Sequence, residues 1–156
     1  FPLFIIVYIL FFIGLKVGNF NLSLFMIGFL AVICAFFYLG PENTFFVWTF
    51  KKSINRFLIS KIKIALFYFI MSALPLIICI FAFYPEKYLY ILALIMISVL
   101  IVITAVLSKY SAYPDELNIK KSLAIIISLW LPVLFLLLIP YFYKESKLNL
   151  KEFLHD

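Results

Sequence analysis

The placement of charge constrains this chain more than any other feature. Five stretches, 1–15, 22–39, 64–83, 88–107 and 122–140, contain no Asp, Glu, Lys, Arg or His. They total 92 residues, and all 20 charged residues fall in the other 64. A helix rises about 1.5 Å per residue, so about 20 apolar residues cross a ~30 Å hydrocarbon core. The last four stretches approach that length, and the first is shorter. Hydrocarbon cannot hydrogen-bond loose backbone groups, so each stretch is expected to be helical. The alternation that a membrane β-barrel requires is missing. Composition agrees: 67% of residues are hydrophobic and 13% charged, against roughly 45–50% and about 25% in soluble domains. A water-soluble globular domain lacks the polar residues to cover its surface, and a disordered chain would be poor in apolar ones. The expected fold is therefore an all-α, polytopic membrane bundle forming one domain over 1–156. It has about five transmembrane helices plus interfacial amphipathic helices.

Orientation follows from Lys and Arg. The segment 40–63 carries Lys51, Lys52, Arg56, Lys61 and Lys63, and the segment 108–121 adds Lys109, Lys120 and Lys121. The opposite side has Lys16 and Lys87. Both basic segments are thus assigned to the cytoplasm or its organellar equivalent. The net charge of +6 is read as this loop bias, not as a nucleic-acid footprint. The final stretch, 122–140, is expected to be one helix kinked by Pro132, followed by an interfacial helix over 141–156. That arrangement leaves eight basic residues on the cytoplasmic side and five on the other. The alternative is a re-entrant hairpin broken near Pro132, which returns the tail and makes the count eleven to two. Residue 1 is Phe with no basic segment before it, so the start is expected to be processed or truncated.

The segment 44–63 reads TFFVWTFKKSINRFLISKIK. On a helix, Val47, Phe50, Ile54, Phe57 and Leu58 share one face, and Lys52, Arg56 and Lys63 another. This is the pattern of a basic amphipathic helix lying beside an anionic leaflet. Trp48 suits the headgroup boundary. Anchoring the loop is one role for such a helix. The sharper one is docking of a cytoplasmic partner through Trp48, Lys51, Lys52, Arg56, Lys61 and Lys63. The tail over 141–156 places Lys144, Lys147 and Lys151 on one face and Leu150, Phe153 and Leu154 on another.

Within the spans, Pro75 and Pro132 are expected kinks, because each removes the hydrogen-bond donor to the carbonyl four residues earlier, at Met71 and Ser128. Ser72, Ser98, Thr104 and Ser128 are expected to bond back to their own helix or a neighbour. Gly14 and Gly18 have G-x-x-x-G spacing, although Lys16 between them weakens it as a dimerisation motif. Cys34 and Cys79 sit in apolar runs and read as small buried hydrophobes. No Asp, Glu, Lys, Arg or His side chain lies in any span, so a proton relay is not expected there. The single histidine, His155, is next to last. No metal site, cofactor site or catalytic constellation is therefore expected, and the chain is not expected to be an enzyme.

The order of features resembles the permease subunits of type-2 ABC exporters. The segment 44–60 stands where those proteins carry a basic coupling helix after the second span. Ser60-Lys61-Ile62 leads into 64–83, and 84–87 forms the tight outer turn. The ending, from KYSAYPDELN through IPYFYKESKLNLKEFL, is similar to permease-like proteins of low-GC bacteria. The count of five spans departs from the usual six. The resemblance implies a homodimer in a bacterial inner membrane that exports by alternating access, with 44–63 touching a cytoplasmic ATPase. The competing class is a non-catalytic structural subunit of a larger membrane complex, bacterial or mitochondrial. Lysine outnumbers arginine twelve to one, which suggests an AT-rich genome and fits either setting.

Overall fold

The computed structural model describes residues 2–40, 42–50 and 53–154. Among these residues the regular structure is helical, with no strand. Seven α-helices follow one another: α1 Pro2–Lys16, α2 Phe20–Phe37, α3 Thr44–Trp48, α4 Ile54–Phe83, α5 Tyr88–Ala112, α6 Ile119–Trp130 and α7 Phe135–Leu150. Short 3₁₀ turns at Pro85–Lys87 and Pro132–Leu134 join α4 to α5 and α6 to α7. Three segments are long and apolar enough to cross a membrane: Phe20–Phe37, Ile54–Phe83 and Pro85–Ala112. The apolar α1 is shorter. Their outward faces carry large apolar side chains, among them Phe25, Phe67, Met71, Ile78, Leu89 and Met96. Such surfaces suit lipid and not water.

The bundle is organised around α5, which touches α2, α4, α6 and α7. Its C-terminal half is buried almost continuously from Ile101 to Ser111. A helix apolar on every side is stable when neighbours cover it on every side. The α1–α2 hairpin closes through Gly18, whose φ of +72° is costly for any residue with a side chain. Asn19 caps α2 by accepting a 3.1 Å bond from the Leu22 amide. Close approach of α1 to α2 depends on Gly14, where an added Cβ would lie 2.5 Å from Ser23 Oγ. The Gly14 surface is therefore already occupied by α2.

Helix length accounts for where charge sits. With 30 residues, α4 runs about 45 Å, roughly 15 Å more than a hydrocarbon core needs. The surplus holds Arg56, Lys61 and Lys63. Counting back from the turn at Pro85–Lys87, Lys63 and Lys109 stand at the same height, about 30 Å away. Pro75 lies inside α4, which continues through it to Phe83. Tyr8 of α1 donates a hydrogen bond to the Ser72 carbonyl, beside the rung that Pro75 removes.

Two expected segments are divided differently. Residues 44–63 do not form one helix: α3 ends at Trp48 and α4 starts at Ile54. The shared apolar face nevertheless exists, with Val47, Ile54, Phe57 and Leu58 all buried. Residues 122–140 are also not one kinked helix. The chain leaves α6 after Trp130, turns at Pro132–Leu134 and starts α7 at Phe135. Pro132 thus ends a helix, because its missing N–H and its ring cannot continue the ladder. At 12 residues, α6 spans about 18 Å, roughly half of a bilayer core. From the turn, α7 runs parallel to α5 back towards the basic end: Phe135 packs with Ile101 and Ala105, and Ser146 Oγ donates to the Leu107 carbonyl at 2.9 Å. Lys121 Nζ sits 2.8 Å from Glu145 Oε1, so the tail and the start of α6 share one end. α6 and α7 thus form a helical hairpin whose two ends lie together. Nor do the described residues of 141–156 form a separate interfacial helix: α7 runs unbroken to Leu150, with Leu150 and Leu154 buried in the core. His155 and Asp156 lie outside the described residues.

The hairpin predicts a labelling pattern. In a variant lacking Cys34 and Cys79, single cysteines introduced by K120C and K151C should react with an impermeant maleimide from the same side of sealed vesicles. E86C should react from the other side. Labelling of K151C together with E86C, and not with K120C, would contradict the hairpin.

Candidate functional site

The described basic end is assembled from the α2–α3 connection, the start of α4 and the end of α5. Asn43 begins α3 by accepting a 3.0 Å bond from the Phe45 amide. That cap fixes the neighbouring residue, Glu42, over the tops of α4 and α5. Glu42 Oε2 meets Lys61 Nζ at 2.8 Å, and Glu42 Oε1 meets Lys109 Nζ at 3.0 Å. Tyr110 OH donates to the same Oε1 at 3.1 Å. One carboxylate thus ties three segments together. Lys109 is 8% exposed, so its charge depends on this partner, since an unpaired buried ammonium is costly.

Aromatic rings surround the charges. Lys61 Nζ lies 5.2 Å from the Phe50 ring centre and 5.3 Å from that of Phe57, within cation–π range. Phe57 meets Tyr110 edge-on at 5.2 Å, and Tyr113 meets Phe153 edge-on at 5.1 Å. The ring contacts therefore run from the α3–α4 elbow through the end of α5 to the tail. Burial pushes the Glu42 carboxyl up, but the hydrogen bonds and charges of Lys61 and Lys109 outweigh it and hold the group below its ordinary range. Glu42 is accordingly an ionised acceptor at neutral pH and not a proton shuttle.

A second polar junction closes the end of α5. The final carbonyls of a helix lack intrahelical donors. Here the Ser111 carbonyl receives Lys121 Nζ and Asn149 Nδ2, each at 2.7 Å. Cations at a helix C-terminus also suit its dipole. Lys121 pairs with Glu145 in the same place, so α6 and α7 are both fastened to α5.

The residues expected to form a docking surface separate into distinct groups. Trp48 is exposed at the end of α3, and Arg56 and Lys63 are exposed on α4. Lys51 and Lys52 lie outside the described residues. Lys61 is turned inward to Glu42 and is a structural cation. Lys109, read from sequence as a loop residue, belongs to the last turn of α5. Glu42, Lys109 and Tyr110 were not singled out by sequence. The available signal was that Glu42 is the one acid in an otherwise basic segment 40–63. Of the hydroxyls in the apolar stretches, Ser72 donates to the Phe69 carbonyl at 2.9 Å and Ser128 to that of Ile125 at 2.6 Å. Ser98 and Thr104 are buried without a partner among the described residues. Both cysteines are free thiols. Among the described residues no three His, Cys, Asp or Glu side chains converge on a metal position.

Comparison with protein families, with curated proteins and with solved structures finds no match to this chain.

Glu42→Gln should destabilise the detergent-solubilised protein by about 2 kcal/mol near neutral pH, because two ammonium groups lose their counter-charge. The folded carboxyl titrates below its ordinary value of 4.5. Its stabilisation is therefore complete above that value and is lost as the pH falls through the folded value. Thermal melts should show the gap between parent and variant narrowing on acidification. A constant gap would place the effect elsewhere.

Proposed function

We propose that this chain is the membrane-embedded subunit of an ATP-driven exporter, and that α3 with the first turns of α4 meets a cytoplasmic ATPase. The observation that carries this is the Glu42 lock. A short helix with exposed Phe45 and Trp48 is fastened through one carboxylate to two membrane-length helices, α4 and α5. Force applied to such an elbow passes to both helices without loss in a flexible loop. The basic end is then cytoplasmic by the distribution of lysine and arginine. In this arrangement α1, α2, α4 and α5 cross the bilayer, and α6–α7 enters and leaves from the cytoplasmic side. The membrane is a bacterial inner membrane, and the working unit is a homodimer.

A non-catalytic structural subunit of a larger assembly is the competing role. It is favoured by the lack of Asp, Glu, Lys, Arg and His in 64–83 and 88–107, which leaves no charged side chain for a substrate path. The two roles separate in a pull-down from mild detergent. A nucleotide-hydrolysing partner together with a second copy of the chain supports the exporter. Stable, nucleotide-independent incorporation into a multi-subunit complex supports the scaffold.

In the exporter, changing Lys51, Lys52 and Arg56 together to Ala should uncouple ATP hydrolysis from transport while membrane insertion remains normal, since basic side chains at a docking surface set recognition more than fold. Unchanged ATP-driven export in that variant would remove the docking role.

A further inference from the structure

A cleft between the last turns of α7 and the first turn of α4 has a volume of about 310 Å3 and is lined by Ile54, Asn55, Lys144, Lys147, Leu148 and Lys151. Three lysines face one small space. Among the described residues none has an acidic partner, since the ion pairs there involve Lys61, Lys109 and Lys121. Lys147 lies over the Tyr143 ring at 5.0 Å, a cation–π contact with a neutral ring that does not remove its positive charge. Lys144 and Lys147 on α7 and Lys151, the C-cap residue that follows it, stand at i, i+3 and i+7, so neighbouring like charges repel along one face. The first turn of α4 adds amide N–H groups without intrahelical acceptors and the positive end of the helix dipole. Ser53 does not cap it with its side chain. Asn55 Oδ1 is held by Tyr143 OH at 2.9 Å, which fixes the side-chain amide at the cleft.

So much positive charge is unfavourable by itself and is relieved by an anion with several acceptor oxygens. We infer that this cleft binds a phosphate-bearing anion, seated as the headgroup of an anionic phospholipid. The surface below the cleft argues for a lipid. One turn deeper on the Asn55 face is Ile59, and below Lys144 on its face are Tyr141 and Leu137, all exposed. A headgroup in the cleft therefore has an apolar strip beneath it for acyl chains. The inference is independent of the exporter role and applies equally to a scaffold.

The test is native mass spectrometry of the full chain in detergent, titrated with dioleoylphosphatidylglycerol, dioleoylphosphatidylcholine or inorganic phosphate. The parent should retain phosphatidylglycerol in preference to phosphatidylcholine, and the preference should weaken with salt. Each lysine near an anionic lipid contributes about fivefold in affinity, so K144Q/K147Q/K151Q should bind phosphatidylglycerol about a hundredfold more weakly. K120Q, which removes an exposed lysine elsewhere at the same end, should bind it as the parent does. Equal retention of the two lipids by the parent would overturn the proposal, and this needs no variant to fold. So would undiminished phosphatidylglycerol binding by the triple variant. Inorganic phosphate competing as well as the lipid does would overturn the lipid assignment in favour of a soluble phosphate.

Discussion

The carboxylate of Glu42, held between Lys61 and Lys109, is the interaction on which the basic end depends. Lys109 lies in the stretch of α5 from Ile101 to Ser111 that is buried almost continuously, where an unpaired ammonium would favour local unfolding. With Glu42 in place, that position becomes a fastening point for the α2–α3 connection, α4 and α5. The aromatic rings of Phe50, Phe57 and Tyr110 lower the exposure of the pair to water and so strengthen it. The rest of the end follows: α3 is held against the bundle, and the tail packs on through Tyr113 and Phe153.

The hairpin of α6 and α7 rests on a different balance. Apolar helices have no strong hydrophobic reason to prefer one another over lipid, so polar contacts at their ends weigh heavily. Those contacts all converge on the end of α5. Lys121 and Asn149 share the Ser111 carbonyl, Ser146 reaches the Leu107 carbonyl, and Glu145 pairs with Lys121. Together they bring the start of α6 and the end of α7 to one level, and Pro132 supplies the reversal between them. The same geometry carries Lys144, Lys147 and Lys151 to the α4 N-terminus, where they form a basic cleft that no separate tail helix would create.

Much of this architecture is legible in the residues. The charge-free stretches 64–83 and 88–107 mark the long helices α4 and α5 because a low-dielectric medium excludes charge over about 20 residues. Gly18 and Asn19 mark the α1–α2 turn, and Tyr84-Pro85-Glu86 the α4–α5 turn. The apolar face of Val47, Ile54, Phe57 and Leu58 is visible as spacing, although it is shared between two helices, α3 ending at Trp48 and α4 starting at Ile54. The stretch 122–140 is less legible, since a proline in a membrane segment is compatible with both a kink and a stop. Composition is the same in either case.

By itself the sequence determined the membrane class, the helical state, the location of the apolar lengths and the end at which basic residues gather. These are properties of one segment against its solvent, and local composition is enough to decide them. Tertiary structure alone decided that Lys61 and Lys109 are internal, that Glu42 is their shared partner, and that the tail returns beside Lys121. Each of these pairs residues distant in the chain, 19 and 67 positions apart for the two Glu42 contacts. A lysine bound to solvent and a lysine bound to a buried carboxylate are written with the same letter, and only the packing of helices tells them apart.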